Sequence, residues 1–153
     1  MIEKPRKSPL HGQLRHRLEQ IVRDWAADDL SVWMDNPLTL SDSEPEPDLI
    51  VLAQTRDEFI DYHPSSVLLV AEISDGSDAM DRSLLPGYAA AGVAEVWLVL
   101  GAKNQIERHT RPVGERYADS RVFSPGEALT SVALEQLILP LDSLFDVPDA
   151  IEN

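Results

Sequence analysis

The 153-residue chain is expected to fold as a single mixed α/β (α+β) domain spanning residues 1–153. Three observations predict this class. An amphipathic helix opens the chain, three short and almost unbroken apolar runs follow, and the third run is reached through a second helical segment. Apolar runs of strand length without alternation suit strands covered on both faces.

In residues 10–27, LHGQLRHRLEQIVRDWAA, Leu10, Leu14, Leu18, Ile21, Val22 and Trp25 share one face at helical spacing. Ser8 is placed to cap this helix, with Pro9 at its first position, and Asp28-Asp29 is expected to end it. SVWMDNPLTL reads as a strand broken at Asn36-Pro37. The acidic, Pro-punctuated turn SDSEPEPD then delivers Asp48 into the strand LIVLA. TRDEFIDYHPSS reads as a loop and VLLVAEIS as a second buried strand. A helix is expected over 83–92, with Pro86 early and Gly92 as its cap, before the third strand EVWLVL. NQIERHTR and ERYADSRVF alternate like an antiparallel pair around Pro112–Gly114. The tail closes in a short helix opened by Leu141-Asp142.

Composition narrows the partners. With no cysteine, disulfides and thiolate metal sites are excluded, and a cytoplasmic location is the default. The start MIEKPRKSPLHG is charged and Pro-broken, unlike a signal peptide, and no apolar run is long enough to cross a membrane. The net charge is −14, yet residues 1–24 carry about +3 and the remainder about −17. A DNA-binding protein needs cations to replace condensed counterions. If DNA binds, Arg6, Lys7, Arg15, Arg17 and Arg23 are therefore the expected contacts, with a weaker group at Lys103, Arg108, Arg111, Arg116 and Arg121.

Two acids stand inside or against the apolar runs: Asp48 before one and Glu72 near the end of the next. Burying an unpaired carboxylate is costly, so such acids need a reason. Two carboxylates converging from neighbouring strands make a hard, oxygen-rich site suited to Mg²⁺. Strand period places Ser74 on the same face as Glu72, at the border of that site. His11 is either a contributor from the first helix or an exposed polar residue. His16 and His109 read as surface residues, His63 as a loop residue, and Trp25 and Trp97 as core. Trp33 could belong to an interface. The acids Asp57-Glu58 and Asp75, Asp78 and Asp81 read as solvated loops.

Taken in order, the motifs Pro47-Asp48, Glu72-Ile-Ser74-Asp75-Gly-Ser77, Asp81-Arg82, Tyr88-Ala89, Ala91-Gly92-Val93 and Glu95-Val96-Trp97 form a specific series. Ser8-Pro9, His11, Asn36-Pro37-Leu38 and His63-Pro64 extend it to about residues 8–146. The series resembles a large bacterial family of restriction-endonuclease-like proteins, abundant in cyanobacteria, within the PD-(D/E)XK nuclease superfamily. The resemblance implies a restriction-endonuclease-like core: an N-terminal helix, a mixed central sheet with a crossover helix, and extra antiparallel strands on the C-terminal side. It also implies that Asp48 and Glu72 bind Mg²⁺ or Mn²⁺, that Ser74 and His11 adjoin the reaction centre, that DNA is cleaved, and that two copies pair as a homodimer.

One departure stands out. The superfamily's usual lysine lies two residues after the second acid, where this chain has Ser74. In the resembling family it lies four residues before the tyrosine, where this chain has Leu84. The interval from Glu72 to Tyr88 is also about one residue short, and Gly87 occupies a position that is usually bulkier. The chain's three lysines are Lys4, Lys7 and Lys103. A neighbour would have to replace the missing cation, and Arg82, His11 and Lys103 are the candidates. Three readings remain at this point: a metal-dependent endonuclease, impaired or active; a degenerate nuclease fold used for protein binding or regulation; and a structural domain unrelated to nucleases.

Overall fold

Ser8 starts the structure as the sequence requires. Its Oγ accepts the amide of His11 at 3.1 Å, and Pro9 opens helix α1, Pro9–Trp25. The structure is a computed structural model that describes residues 8–26, 30–41, 43–53, 67–76 and 78–145. The expected end of α1 at Asp28-Asp29 falls outside these residues, but the helix already stops at Trp25, where Ala26 turns extended. Strands β1 (Ser31–Met34), β2 (Leu49–Leu52) and β3 (Val67–Ser74) follow. Two short helices, α2 (Asp78–Arg82) and α3 (Leu85–Ala91), then lead to β4 (Glu95–Leu100). After a 3-10 turn at Gly101–Lys103 come β5 (Gln105–Val113), β6 (Arg116–Phe123), β7 (Ala128–Thr130), β8 (Ile138–Pro140) and α4 (Leu141–Leu144).

The six main strands form one sheet in sequential order, β1 to β6. All neighbours are antiparallel except β3 and β4, which run parallel and are joined by the α2–α3 crossover. This is the mixed sheet with a crossover helix that the sequence predicts. The crossover itself differs: the helix expected over 83–92 is shorter and is preceded by α2, with a turn at Ser83 and Leu84 between them. Pro86 and the αL cap at Gly92 (φ 87°) take their expected places in α3. The small β7–β8 ribbon was not located from sequence, its strands being only three residues each.

Strand period splits the core into two layers. Leu49, Val51, Leu69, Ala71, Ile73, Trp97 and Val99 pack under α1, the ribbon and α4. Ile50, Leu52, Val70, Val96, Leu98 and Leu100 pack with Tyr88 of α3 and with Leu38 and Leu40. Both faces of the central strands are covered, which explains their unbroken apolar runs. The predicted face of α1 supplies Leu14, Leu18 and Val22 to the core, whereas Leu10 stays exposed and Ile21 and Trp25 are half-buried.

One buried acid is part of this framework. Glu95 lies on the α1 face, fully enclosed. Its Oε1 accepts Ser131 Oγ (3.0 Å), Val132 N (2.9 Å) and Ala133 N (2.7 Å), and its Oε2 accepts Trp97 Nε1 (2.6 Å). Four donors offset the cost of burying the carboxylate and fasten the β7–β8 connection to the sheet. Glu95→Ala leaves these donors without their acceptor and is expected to lower the unfolding free energy by roughly 3 kcal/mol. Glu95→Gln, which keeps one acceptor oxygen, should lose distinctly less. Urea denaturation followed by circular dichroism measures both.

Candidate active site

Asp48 sits where β2 and β3 part. Their last paired residues are Leu49 and Ala71, so continuing the register puts Asp48 opposite Glu72. At that point the Asp48 carboxylate takes over from the ladder, Oδ2 accepting the amide of Ile73 at 2.7 Å. Its Oδ1 lies 3.2 Å from Nε2 of His11, delivered by the first turn of α1. Asp48 is 1 % exposed and His11 4 %. His11 is therefore a buried partner of the first acid, not a surface residue.

Glu72 points to the opposite layer from its neighbours Ala71 and Ile73, toward the crossover. Its Oε2 accepts the hydroxyl of Tyr88 at 2.7 Å, and it too is 1 % exposed. Burial holds the Tyr88 phenol well above its ordinary range. The charge of Glu72, the hydrogen bond to it, and the charges of Asp81 and Asp48 push it further. Tyr88 thus remains a donor to Glu72 at any physiological pH. Asp81, expected in a solvated loop, is fully buried on α2. No local signal could have found it, because α2 and α3 are separate helices and the turn at Ser83 and Leu84 breaks any periodic spacing from Asp81 to Tyr88.

Ser74 is buried at the end of β3 on the Glu72 side and donates to Asp78 Oδ1 at 2.6 Å. The other oxygen of Asp78 lies 3.1 Å from Lys103 Nζ. The Ser74 hydrogen bond, followed by the hydrogen bond and charge of Lys103, outweighs desolvation and holds the Asp78 carboxyl below its ordinary range. The expectation of a merely solvated acid cluster is corrected here as well. Asp78 joins the carboxyl ends of the one parallel strand pair, the customary location of ligand sites in such sheets.

The structure therefore gathers all four expected site residues, Asp48, Glu72, Ser74 and His11, at one end of β2 and β3. Beside them lie Tyr88, Asp78 and Asp81, and Lys103, one of the candidate cations, stands against Asp78. Of the three cations that could replace the missing lysine, Arg82 forks onto Glu107, with Nε 3.3 Å from Oε1 and the second contact through Nη2. Leu84 is half-buried against the apolar cluster of α3 and lines a cleft with Leu40, Ser83, Pro86 and Gly87. Gly87 gives Leu40 room: a Cβ there would lie 3.0 Å from Leu40 Cδ1, so the leucine tip would have to shift. Among the expected DNA contacts, Arg15 pairs with Asp35, Arg23 with Glu19 at 2.8 Å, and Arg17 donates to Leu144 O at 3.1 Å. Arg6, Lys7 and His63 lie outside the described residues. His16 is exposed as expected, and His109 is half-buried against Glu107 at 3.1 Å.

Among the described residues no three His, Asp or Glu side chains form a ready metal cage, and no helix is long and apolar enough to cross a membrane. No curated protein matches the chain significantly. A crystal structure from Anabaena variabilis ATCC 29413, described as "a putative nuclease belonging to DUF820", superposes with a TM-score of 0.76 at 16 % identity. The alignment covers 95 % of this chain and 85 % of that one, which establishes a shared fold. The profile of the Uma2 family, described as "Putative restriction endonuclease", matches residues 1–142. Covering nearly the whole chain, that match places this protein in the Uma2 restriction-endonuclease family.

Proposed function

We propose that the chain is a divalent-metal-dependent DNA endonuclease whose metal is held by Asp48 and Glu72. The observation that carries this reading is the pair of buried acids at the β2–β3 divergence, where Asp48 falls opposite Glu72 when the register is continued. The donor set fits the ion. Mg²⁺ prefers hard oxygen ligands and is commonly bound through one or two carboxylates, completed by waters and substrate phosphate. Two buried acids in a setting without thiols meet that requirement, and a full protein cage is not needed. Asp48 and Glu72 would hold such an ion, which would supply polarisation of a phosphodiester oxygen and a more acidic water.

The chain's own residues do the positioning. The Ile73 amide and His11 fix the orientation of Asp48, and the Tyr88 hydroxyl fixes that of Glu72. Ser74 borders the acids and orients Asp78. Pairing of two copies belongs to the same reading, supported by the resemblance and by β6. That strand is an edge of the sheet whose residues are mostly exposed. Sedimentation velocity tests this directly, with a monomer at micromolar concentration counting against it.

A second reading, a degenerate fold serving protein binding or regulation, draws on Leu84, which packs in an apolar cluster, and on the three α1 arginines held within the chain. Metal titration separates the two. With Mn²⁺, calorimetry should give a saturable heat that Asp48→Asn and Glu72→Gln abolish. The same variants should lower the nicking of supercoiled plasmid by roughly 10²-fold or more. Absence of heat at millimolar Mn²⁺ favours the degenerate fold, and cleavage that persists in both variants removes the assignment of these acids.

Tyr88→Phe deletes the buried hydroxyl that orients Glu72. It is expected to lower stability by about 2 kcal/mol and Mn²⁺ affinity by roughly 10-fold or more. Urea denaturation and calorimetry on the same preparation read the two effects.

A further inference from the structure

We propose, on the strength of the nuclease reading, that Lys103 is the cation this site presents to the scissile phosphodiester, aimed by Asp78. Three observations converge. First, Lys103 Nζ, Asp78 and Ser74 form one line of contacts, 3.1 Å and 2.6 Å, across the carboxyl ends of β3 and β4. Ser74 lies two residues past Glu72 on the same strand face, so the line starts beside the acids.

Second, exposure rises along it. Glu72 and Ser74 are buried, the Asp78 side chain is 19 % exposed, and the Lys103 side chain is 55 % exposed. The ammonium therefore stands at the solvent end, where a polyanion arriving at buried acids first meets the protein. An ion pair this exposed is weak, so exchanging one carboxylate oxygen for a phosphate oxygen costs little.

Third, the backbone brings Lys103 there. Gly101 follows β4, and a Cβ on it would lie 2.9 Å from Leu14 Cδ1 and 3.2 Å from the carbonyl oxygen of Ser74. The glycine lets the 3-10 turn close onto the end of β3 beneath α1 without displacing either neighbour. Asn104 then adopts φ 53°, reversing the chain into β5 immediately after Lys103. The rival groups have other work: Arg82 is forked on Glu107, Leu84 is packed among apolar side chains, and His11 faces Asp48. Phosphodiester cleavage builds negative charge on the phosphoryl oxygens, and a positioned cation stabilises it as it forms.

The test compares wild-type protein with Lys103→Gln, Lys103→Arg and Asp78→Asn. One readout is single-turnover plasmid cleavage in Mn²⁺. The second is anisotropy of a fluorescein-labelled 12-base-pair duplex in Ca²⁺, over a range of salt. The third is Mn²⁺ calorimetry. Lys103→Gln should lower cleavage roughly 10²-fold, weaken duplex binding several-fold and reduce the salt slope by about 1, with Mn²⁺ affinity unchanged. Lys103→Arg should restore duplex binding. Asp78→Asn leaves the ammonium in place but unaimed, so duplex binding should hold while cleavage falls, a split that general damage to the fold does not produce. Metal-dependent cleavage that needs Asp48 and Glu72 yet is unchanged in Lys103→Gln overturns this inference alone. A wild-type protein with neither Mn²⁺ heat nor cleavage overturns the nuclease reading, and this inference with it.

Discussion

The hydrogen bond from the Ile73 amide to Asp48 organises one end of the molecule. An antiparallel ladder must end somewhere, and its last amides need acceptors if the ends are buried. Here a side-chain carboxylate takes the place of the missing backbone carbonyl. The strands can then part without leaving a buried donor unsatisfied, and a carboxylate is left anchored in the gap. His11 reaches the same group from α1, so the helix, β2 and β3 meet at one acid. Placing Asp48 is thus part of ending the sheet, and the site is built from the same contacts as the fold.

The chain buries two glutamates on opposite faces of adjacent parallel strands, and their surroundings differ in kind. Glu95 faces donors: an indole, a hydroxyl and two amides, all from segments it helps to hold together. That is the environment of a structural acid, whose charge the protein itself satisfies. Glu72 faces a phenol whose own ionisation is suppressed first by burial and then by the charges of Glu72, Asp81 and Asp48. Gathering like charges in a buried space opposes folding, and such groupings mark functional sites more often than structural ones. The burial rule alone does not separate the two residues, since both sit in apolar runs; the motif order singles out Glu72, and the tertiary partners show how differently the two acids are surrounded.

Much of the fold was legible because its signals are local. Ser8-Pro9, the heptad-like face of Leu14, Leu18 and Val22, and the three apolar runs each encode their element within a few residues. The acids Asp48 and Glu72 were legible because a carboxylate in an apolar strand violates the burial rule. Three things were hidden for a common reason: the two acids of the crossover, the partners of the candidate cation Lys103, and the β7–β8 ribbon. Asp78 and Asp81 resemble any polar loop until the crossover folds them back, and Asp81 is then buried while Asp78 meets Ser74. Lys103 is 29 residues beyond Ser74 in sequence and becomes its near neighbour only through the parallel pairing of β3 with β4, in which Ser74 is opposite Leu100. The β7–β8 ribbon is too short to show a period, and Glu95 fixes it from a distance.

The exchange of a lysine position for Leu84 also acquires a physical setting. Leu84 caps α3 without a side-chain hydrogen bond and rests on the cluster that contains Leu40 and Tyr88. Gly87, one turn further on, admits Leu40 close to the helix axis, so the two residues adapt the same surface to one apolar loop. A charged side chain at 84 would have to leave that cluster to find water or an anion. Lys103, by contrast, belongs to a turn that Gly101 presses against the end of β3, and its charge remains in solvent. Lys103 and Leu84 thus divide the surface between them, an exposed cation on the β4–β5 turn and an apolar contact on the crossover, and α3 packs as an apolar element.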